Sequence, residues 1–153
     1  MLAALLICSV IAISDGDTLS ARCAIDGAPQ TITVRLAEVD APEKAQAFGA
    51  RSKQNLSALC FRKPAQIRPV SLDRYARTVA HVSCDGHDAS AEQVRAGMAW
   101  VFVRYAANGS PLYGLERDAR ASRRGIWADA QPVAPWEWRR SVASPLHGQA
   151  AAS

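Results

Sequence analysis

The chain is poor in the residues from which metal clusters and thiol centres are usually built: three histidines, two methionines and four cysteines among 153 residues. Cys8, Cys23, Cys60 and Cys84 form no CxxC pair and no histidine stands in ligand register with them, so a zinc site is not expected. Their even number allows one disulfide or two, with buried free thiols as an equal alternative. Apolar runs are short as well. The N-terminal one, MLAALLICSVIAI, covers 13 residues, against roughly 20 for a membrane-spanning helix. It also lacks the basic start of a signal peptide, because neither Lys nor Arg precedes Arg22. Residues 1–7 are therefore read as the remnant of an export signal without its basic beginning, or as the result of a misplaced start codon. The expected location is secreted or periplasmic, with membrane anchoring through an uncleaved N-terminus as the alternative.

What is present fits one compact domain, since 153 residues can close a single core but not two. Hydrophobic content of 49% and charged content of 21% match globular averages and argue against disorder or a coiled coil. Basic residues number 18 against 14 acidic ones, a balance that suits a polyanionic partner without demanding one. Arginine far outnumbers lysine, which reflects either genome composition or the use of guanidinium forks on phosphate oxygens.

Along the chain, Cys8 to Ser14 is rich in β-branched residues and stops at Asp15-Gly16. Thr18 to Ile25 and Thr31 to Val39 flank Asp26-Gly27 and read as a hairpin. In the second of these strands Ile32, Val34 and Leu36 share one face, so Arg35 points away from the greasier side. After Pro42, residues Phe48, Ser52, Leu56, Leu59 and Cys60 recur at helical spacing, with Pro42 and Glu43 expected in the first turn. Gln66 to Leu72 and Arg77 to Ser83 read as two more strands. Ser90 to Ala96 predicts a short helix capped by Ser90 and closed by Gly97, and Ser110 to Gly125 predicts a longer one with Gly125 as its C-cap. The domain is placed at residues 8–142, and residues 143–153 are expected to form a disordered tail. Five short strands, a helix interposed after the third, and helices to follow suggest an α+β, mainly β fold: a five-stranded OB-fold Greek-key barrel with about three covering helices.

Three charged clusters fall at strand ends or turns, where barrel strands converge. They are Asp15-Gly16-Asp17-Thr18, Arg35 with Asp40-Ala41-Pro42-Glu43, and Asp73-Arg74-Tyr75-Ala76-Arg77. Taken singly, each has an ordinary explanation as a turn, a helix start or a solvated strand face. In order and spacing, however, SDGDTL, VRLAEVDAPE, AFGARSKQNL, DRYARTVA, VRAGMAWV, LERDARASRRGIW and PWEWR resemble the staphylococcal (micrococcal) nuclease, or thermonuclease-like, family. The resemblance runs from about Val10 to Arg140.

That resemblance implies a calcium-dependent phosphodiesterase acting on DNA, RNA or both, with no protein partner and a monomeric state. It carries the metal ligands onto Asp17, Asp40 and the backbone carbonyl of Ala41. It carries the phosphate-gripping arginines onto Arg35 and Arg77, and the water-activating carboxylate onto Glu43. Arg74, Tyr75 and Tyr105 fall where the family contacts the nucleotide. The chemistry is self-consistent, because calcium takes hard oxygen ligands and a phosphodiester gains charge under attack that cations must offset. The alternative is an OB-fold module that binds nucleic acid without cutting it. Where family members usually have glycine, this chain has Ala76, and a positive φ there would cost about 1 kcal/mol. Trp100, Trp127, Trp136 and Trp138 are expected to serve core and tail packing, His81, His87 and His147 to be bystanders, and Arg117, Arg120, Arg123 and Arg124 to line a solvated helix face.

Overall fold

The computed structural model describes residues 4–143. Part of the export remnant and nearly all of the predicted tail, with His147, lie outside the described residues.

Strands β1 (Leu6–Asp15), β2 (Thr18–Ile25) and β3 (Ala28–Leu36) form an antiparallel meander. The β2–β3 connection is the expected hairpin: Ile25 pairs with Ala28, leaving Asp26 and Gly27 at φ 52° and 79° as a two-residue turn that matches the strand twist. β1 begins two residues before the pattern predicts, because Leu6 and Ile7 pair with Ile67 and Gln66. β4 (Val39–Asp40) follows as a separate two-residue strand, and α1 spans Gly49–Cys60. Next come β5 (Pro64–Leu72), β6 (Thr78–Cys84), β7 (His87–Asp88), α2 (Ala89–Arg95) and β8 (Trp100–Val101). α3 (Leu112–Ala121), a 3-10 turn (Gly125–Ala128) and α4 (Pro135–Ala143) complete the described residues.

The barrel order is β3-β2-β1-β5-β6, closed by a parallel pairing of β3 with β6 in which Arg35 lies opposite Val79. The result is a closed, five-stranded mixed barrel of the OB type with four α-helices around it. Closure removes the free edges that an open sheet of this size would present. Val10, Leu19, Val34, Leu36, Ile67 and Val82 fill the interior, and Leu56 of α1 and Val94 of α2 belong to the same buried cluster. Among the described residues no helix is long and apolar enough to cross a membrane.

Both pairs of cysteines are bridged, Cys8 to Cys23 and Cys60 to Cys84. The first joins residues directly opposed in the β1–β2 register, and the second ties the end of α1 to the end of β6.

Four local expectations are corrected. Pro42 and Glu43 do not open α1, which starts at Gly49 after Phe48 adopts φ 70°. They form instead a short loop whose backbone is closed by bonds from Gln46 N to Glu43 O and from Gly49 N to Gln46 O. The third strand ends at Leu36, because Glu38 at φ 68° breaks the extended run before Val39. Asp88, not Ser90, caps α2 by accepting from Ala91 N, since the buried Ser90 hydroxyl donates to Ala37 O. α3 ends at Ala121, and Gly125 opens the 3-10 turn at φ 53°.

Candidate active site

The turn between β1 and β2 supplies the first acidic group. A register shift between Ile13 and Asp15 brings Asp15 opposite Thr18, the kind of irregularity that re-aims a side chain at a strand end. Gly16 lets this turn approach α1 closely: a Cβ there would collide with the Ser52 side chain and with Ala41 Cβ. The fully buried Gln93 of α2 fastens it, donating to Gly16 O at 2.7 Å and to Ser52 O at 3.1 Å. Asp17 is thereby held inside the protein, accepting from Thr18 Oγ1 at 2.9 Å and from the Ala41 amide at 2.8 Å.

Arg35 leaves β3 toward that carboxylate. Its Nη1 donates to Leu36 O and Val39 O at 2.9 and 2.8 Å, and its Nη2 lies 3.2 Å from Asp40 Oδ1 and 3.5 Å from Asp17 Oδ2. One guanidinium, 14% exposed, therefore bridges the two predicted metal carboxylates. Asp40 itself is 1% exposed. Glu43 stands on the short loop beyond Pro42, its amide donating to Gln46 Oε1, while Gln46 Nε2 reaches the carbonyl of Val133.

The third cluster comes from the β5–β6 connection. Asp73 accepts from the amides of Tyr75 and Arg77 and, through Oδ2, from Arg77 Nε at 2.7 Å. Ala76 sits at φ 62°, the left-handed conformation in which glycine would be unstrained. The guanidinium carbons of Arg74 and Arg77 lie 4.9 and 5.3 Å from the centre of the Tyr75 ring.

These pieces line one cleft of about 570 Å³ with walls from Asp15, Asp17, Asp40 and Glu43, from Arg35, Arg74, Arg77, Arg139 and Arg140, and from Tyr75 and Trp136. Of the predicted residues, seven face this cleft: Asp17, Arg35, Asp40, Glu43, Arg74, Tyr75 and Arg77. Ala41 is buried beside it and contributes its amide to Asp17. Tyr105 lines a neighbouring, more apolar cavity of about 740 Å³ with Leu72 and Phe102. The two cavities share Arg35, Arg74, Tyr75 and Arg77, so the arginines stand between an acidic half and an apolar half.

Arg139 is the member that sequence reasoning missed. Trp136 anchors α4 by stacking on Phe102 at 5.3 Å and meeting Trp100 edge-on at 5.5 Å. Three residues on, less than one helical turn, Arg139 Nη2 lies 2.7 Å from Asp40 Oδ2 and its Nη1 2.6 Å from Glu43 Oε1. PWEWR carries no local signal of this contact, because its partners stand 99 and 96 positions away in the chain. The tryptophan packing itself is as expected, with Trp100 and Trp127 also in contact.

Electrostatics follow from this crowding. Burial, and then the nearby charge of Asp17, push Asp15 up to about 7. Burial alone would raise Asp17 too, but Arg35 and the surrounding hydrogen bonds outweigh it and hold that carboxyl below its ordinary value. Asp40 is raised by burial, against the pull of Arg139 and Arg35. Its bond to Arg139, joined by that of Glu43, holds the Arg139 guanidinium above its ordinary value.

A family model described as staphylococcal nuclease homologue matches residues 33–129, a span that includes Arg35, Asp40, Glu43 and Arg77. The chain is 44% identical over 134 residues to an uncharacterized endonuclease of Haemophilus influenzae, covering 87% of this chain and 72% of that one. It is 38% identical over 142 residues to a micrococcal nuclease of Shigella flexneri, with 86% and 79% covered. With the closed barrel and the charged clusters meeting in one cleft, these matches show that the chain belongs to the staphylococcal nuclease family.

Proposed function

We propose that the protein is a calcium-dependent nuclease that hydrolyses phosphodiester bonds of DNA, RNA or both. The observation that carries this reading is the Arg35 guanidinium bridging Asp17 and Asp40 in a cleft shared with Glu43 and Arg77. The names of the relatives, an endonuclease and a micrococcal nuclease, support the same reaction class.

The donor set fits calcium by its chemistry. Asp17 and Asp40 are carboxylates joined through one guanidinium, and with the backbone carbonyl of Ala41 they would offer the hard oxygens that this ion takes. When bound, calcium supplies positive charge near the phosphate. Arg35 and Arg77 add donors of fixed geometry for the oxygens on which charge develops during attack. Glu43 takes the proton of the attacking water as the new bond to phosphorus forms, while the bond from phosphorus to the leaving ester oxygen breaks and that oxygen departs as an alcohol with a proton from solvent. Arg74 and Tyr75 bind the flanking nucleotide, and the apolar cavity around Leu72, Phe102 and Tyr105 receives a base. Two disulfides favour an oxidising location, secreted or periplasmic.

Incubating the purified protein with single- and double-stranded DNA and RNA, with calcium or chelator, tests the reading. Cleavage in calcium only is expected, and chelator-resistant cutting would refute the metal assignment. Glu43→Gln is expected to lower kcat by about 10²–10⁴-fold while nucleic-acid affinity stays within a few fold.

A further inference from the structure

Two guanidiniums hold Asp40, and they are held very differently themselves. Arg35 is 14% exposed and also donates to the carbonyls of Leu36 and Val39, so the strand fixes it. Arg139 is 42% exposed and, among the described residues, donates hydrogen bonds only to Asp40 and Glu43. Its fork covers both Asp40 oxygens, at 2.7 Å to Oδ2 and 3.2 Å to Oδ1. A cation approaching Asp40 therefore meets a carboxylate whose oxygens already face two guanidiniums, the more exposed of which can leave toward solvent.

We propose that Arg139 is a positioning residue that competes with the divalent cation for Asp40, so that α4 sets the cation affinity of the site. The inference rests on the calcium reading above. A guanidinium and a divalent ion on one carboxylate repel each other, so binding of either weakens the other by the same factor. Arg139 Nη1 also occupies Glu43 Oε1 at 2.6 Å. Because this one nitrogen serves both carboxylates, a swing of the Arg139 fork into solvent uncovers Asp40 and Glu43 together. Without a cation, the same contact keeps Asp40 and Glu43 apart from uncompensated repulsion and pins α4 to the barrel.

The test compares the full chain with Arg139→Gln and Arg139→Lys, using calorimetric titration with calcium alone and thermal unfolding in chelator and in saturating calcium. Arg139→Gln is expected to bind calcium at least about fivefold more tightly, the low end of ordinary coupling between ligands. It is expected to unfold at a lower temperature than the wild-type protein in chelator, with the gap shrinking in saturating calcium. Arg139→Lys keeps the charge without the fork and should fall between. Should Arg139→Gln not fold in chelator, the lysine variant carries the affinity comparison, and a value equal to or weaker than wild type overturns the inference. Calcium binding by the wild-type protein with equal or weaker binding by the variants overturns the inference and leaves the calcium reading intact. No calcium binding by any of the three proteins removes both.

Discussion

Arg35 and Asp17 meet across a strand pair: Thr18 lies opposite Arg35 in the β2–β3 register, and Arg35 Nη2 reaches Asp17 Oδ2 at 3.5 Å. Because the same guanidinium serves Asp40, it is at once a structural counter-charge and the proposed phosphate donor. Arg35→Gln should cost about 3 kcal/mol of stability, the usual result of leaving a buried carboxylate short of its partner, and should lower kcat/KM by at least about 10²-fold. Arg35→Lys should recover much of the stability and little of the rate, because an ammonium lacks the fork. Urea unfolding and steady-state cleavage check the two readouts separately.

Gln93 ties the β1–β2 turn to α1, and its removal should be felt at a distance. Gln93→Leu leaves the carbonyls of Gly16 and Ser52 without this donor. A loss of about 2–3 kcal/mol is expected, with reduced activity beyond what the stability change explains, because Asp15 and Asp17 flank Gly16. An activity measurement well below the unfolding temperature separates the effects.

Asp73 gives a pH prediction. Burial would raise its carboxyl slightly, but hydrogen bonds from the amide and side chain of Arg77 and the amide of Tyr75 hold it below the ordinary value. A carboxyl depressed in the folded state adds stability above its unfolded value, and that stability disappears as pH falls through the folded value. Asp73→Asn should therefore unfold at a lower temperature than wild type at pH 7. The gap should begin to close below about pH 4, the unfolded value, and vanish only below the lower folded value. A gap that persists at lower pH would assign the effect to the hydrogen-bond geometry alone.

Ala76 occupies φ 62°, where an L-residue costs roughly 1–2 kcal/mol. Glycine removes that cost but loosens the unfolded chain by about 0.4–1 kcal/mol. Ala76→Gly should thus stabilise the protein by about 0.5 kcal/mol, and Ala76→Val, with its branched Cβ, should destabilise it by more than about 1 kcal/mol. Denaturant midpoints at constant slope distinguish the two.

How much of this was legible beforehand depends on where the determining contacts lie. The β2–β3 hairpin could be read directly, because Asp26-Gly27 supplies the two positive φ values that its turn requires. The convergence of Asp17, Arg35, Asp40, Glu43 and Arg77 could be anticipated from family order, and they do share a cleft or its immediate wall. Glu38 and Phe48 could not be foreseen as breaks, since both adopt positive φ without being glycine, and Glu38 is held by bonds from the distant Phe102 and Ala107 amides. Ser90 resembled a cap until Ala37 O claimed its hydroxyl. Arg139 was hidden for the opposite reason: its partners stand 99 and 96 positions away, and no local pattern announces a contact of that range.

The order of the elements has a bearing on biosynthesis. α4 follows every barrel strand in the chain, so it leaves the ribosome after them, when the barrel and its acidic pair can already have formed. A nascent or C-terminally clipped polypeptide would then present the acidic cleft without Arg139, and under the competition proposed above it would take up a cation more readily than the finished protein.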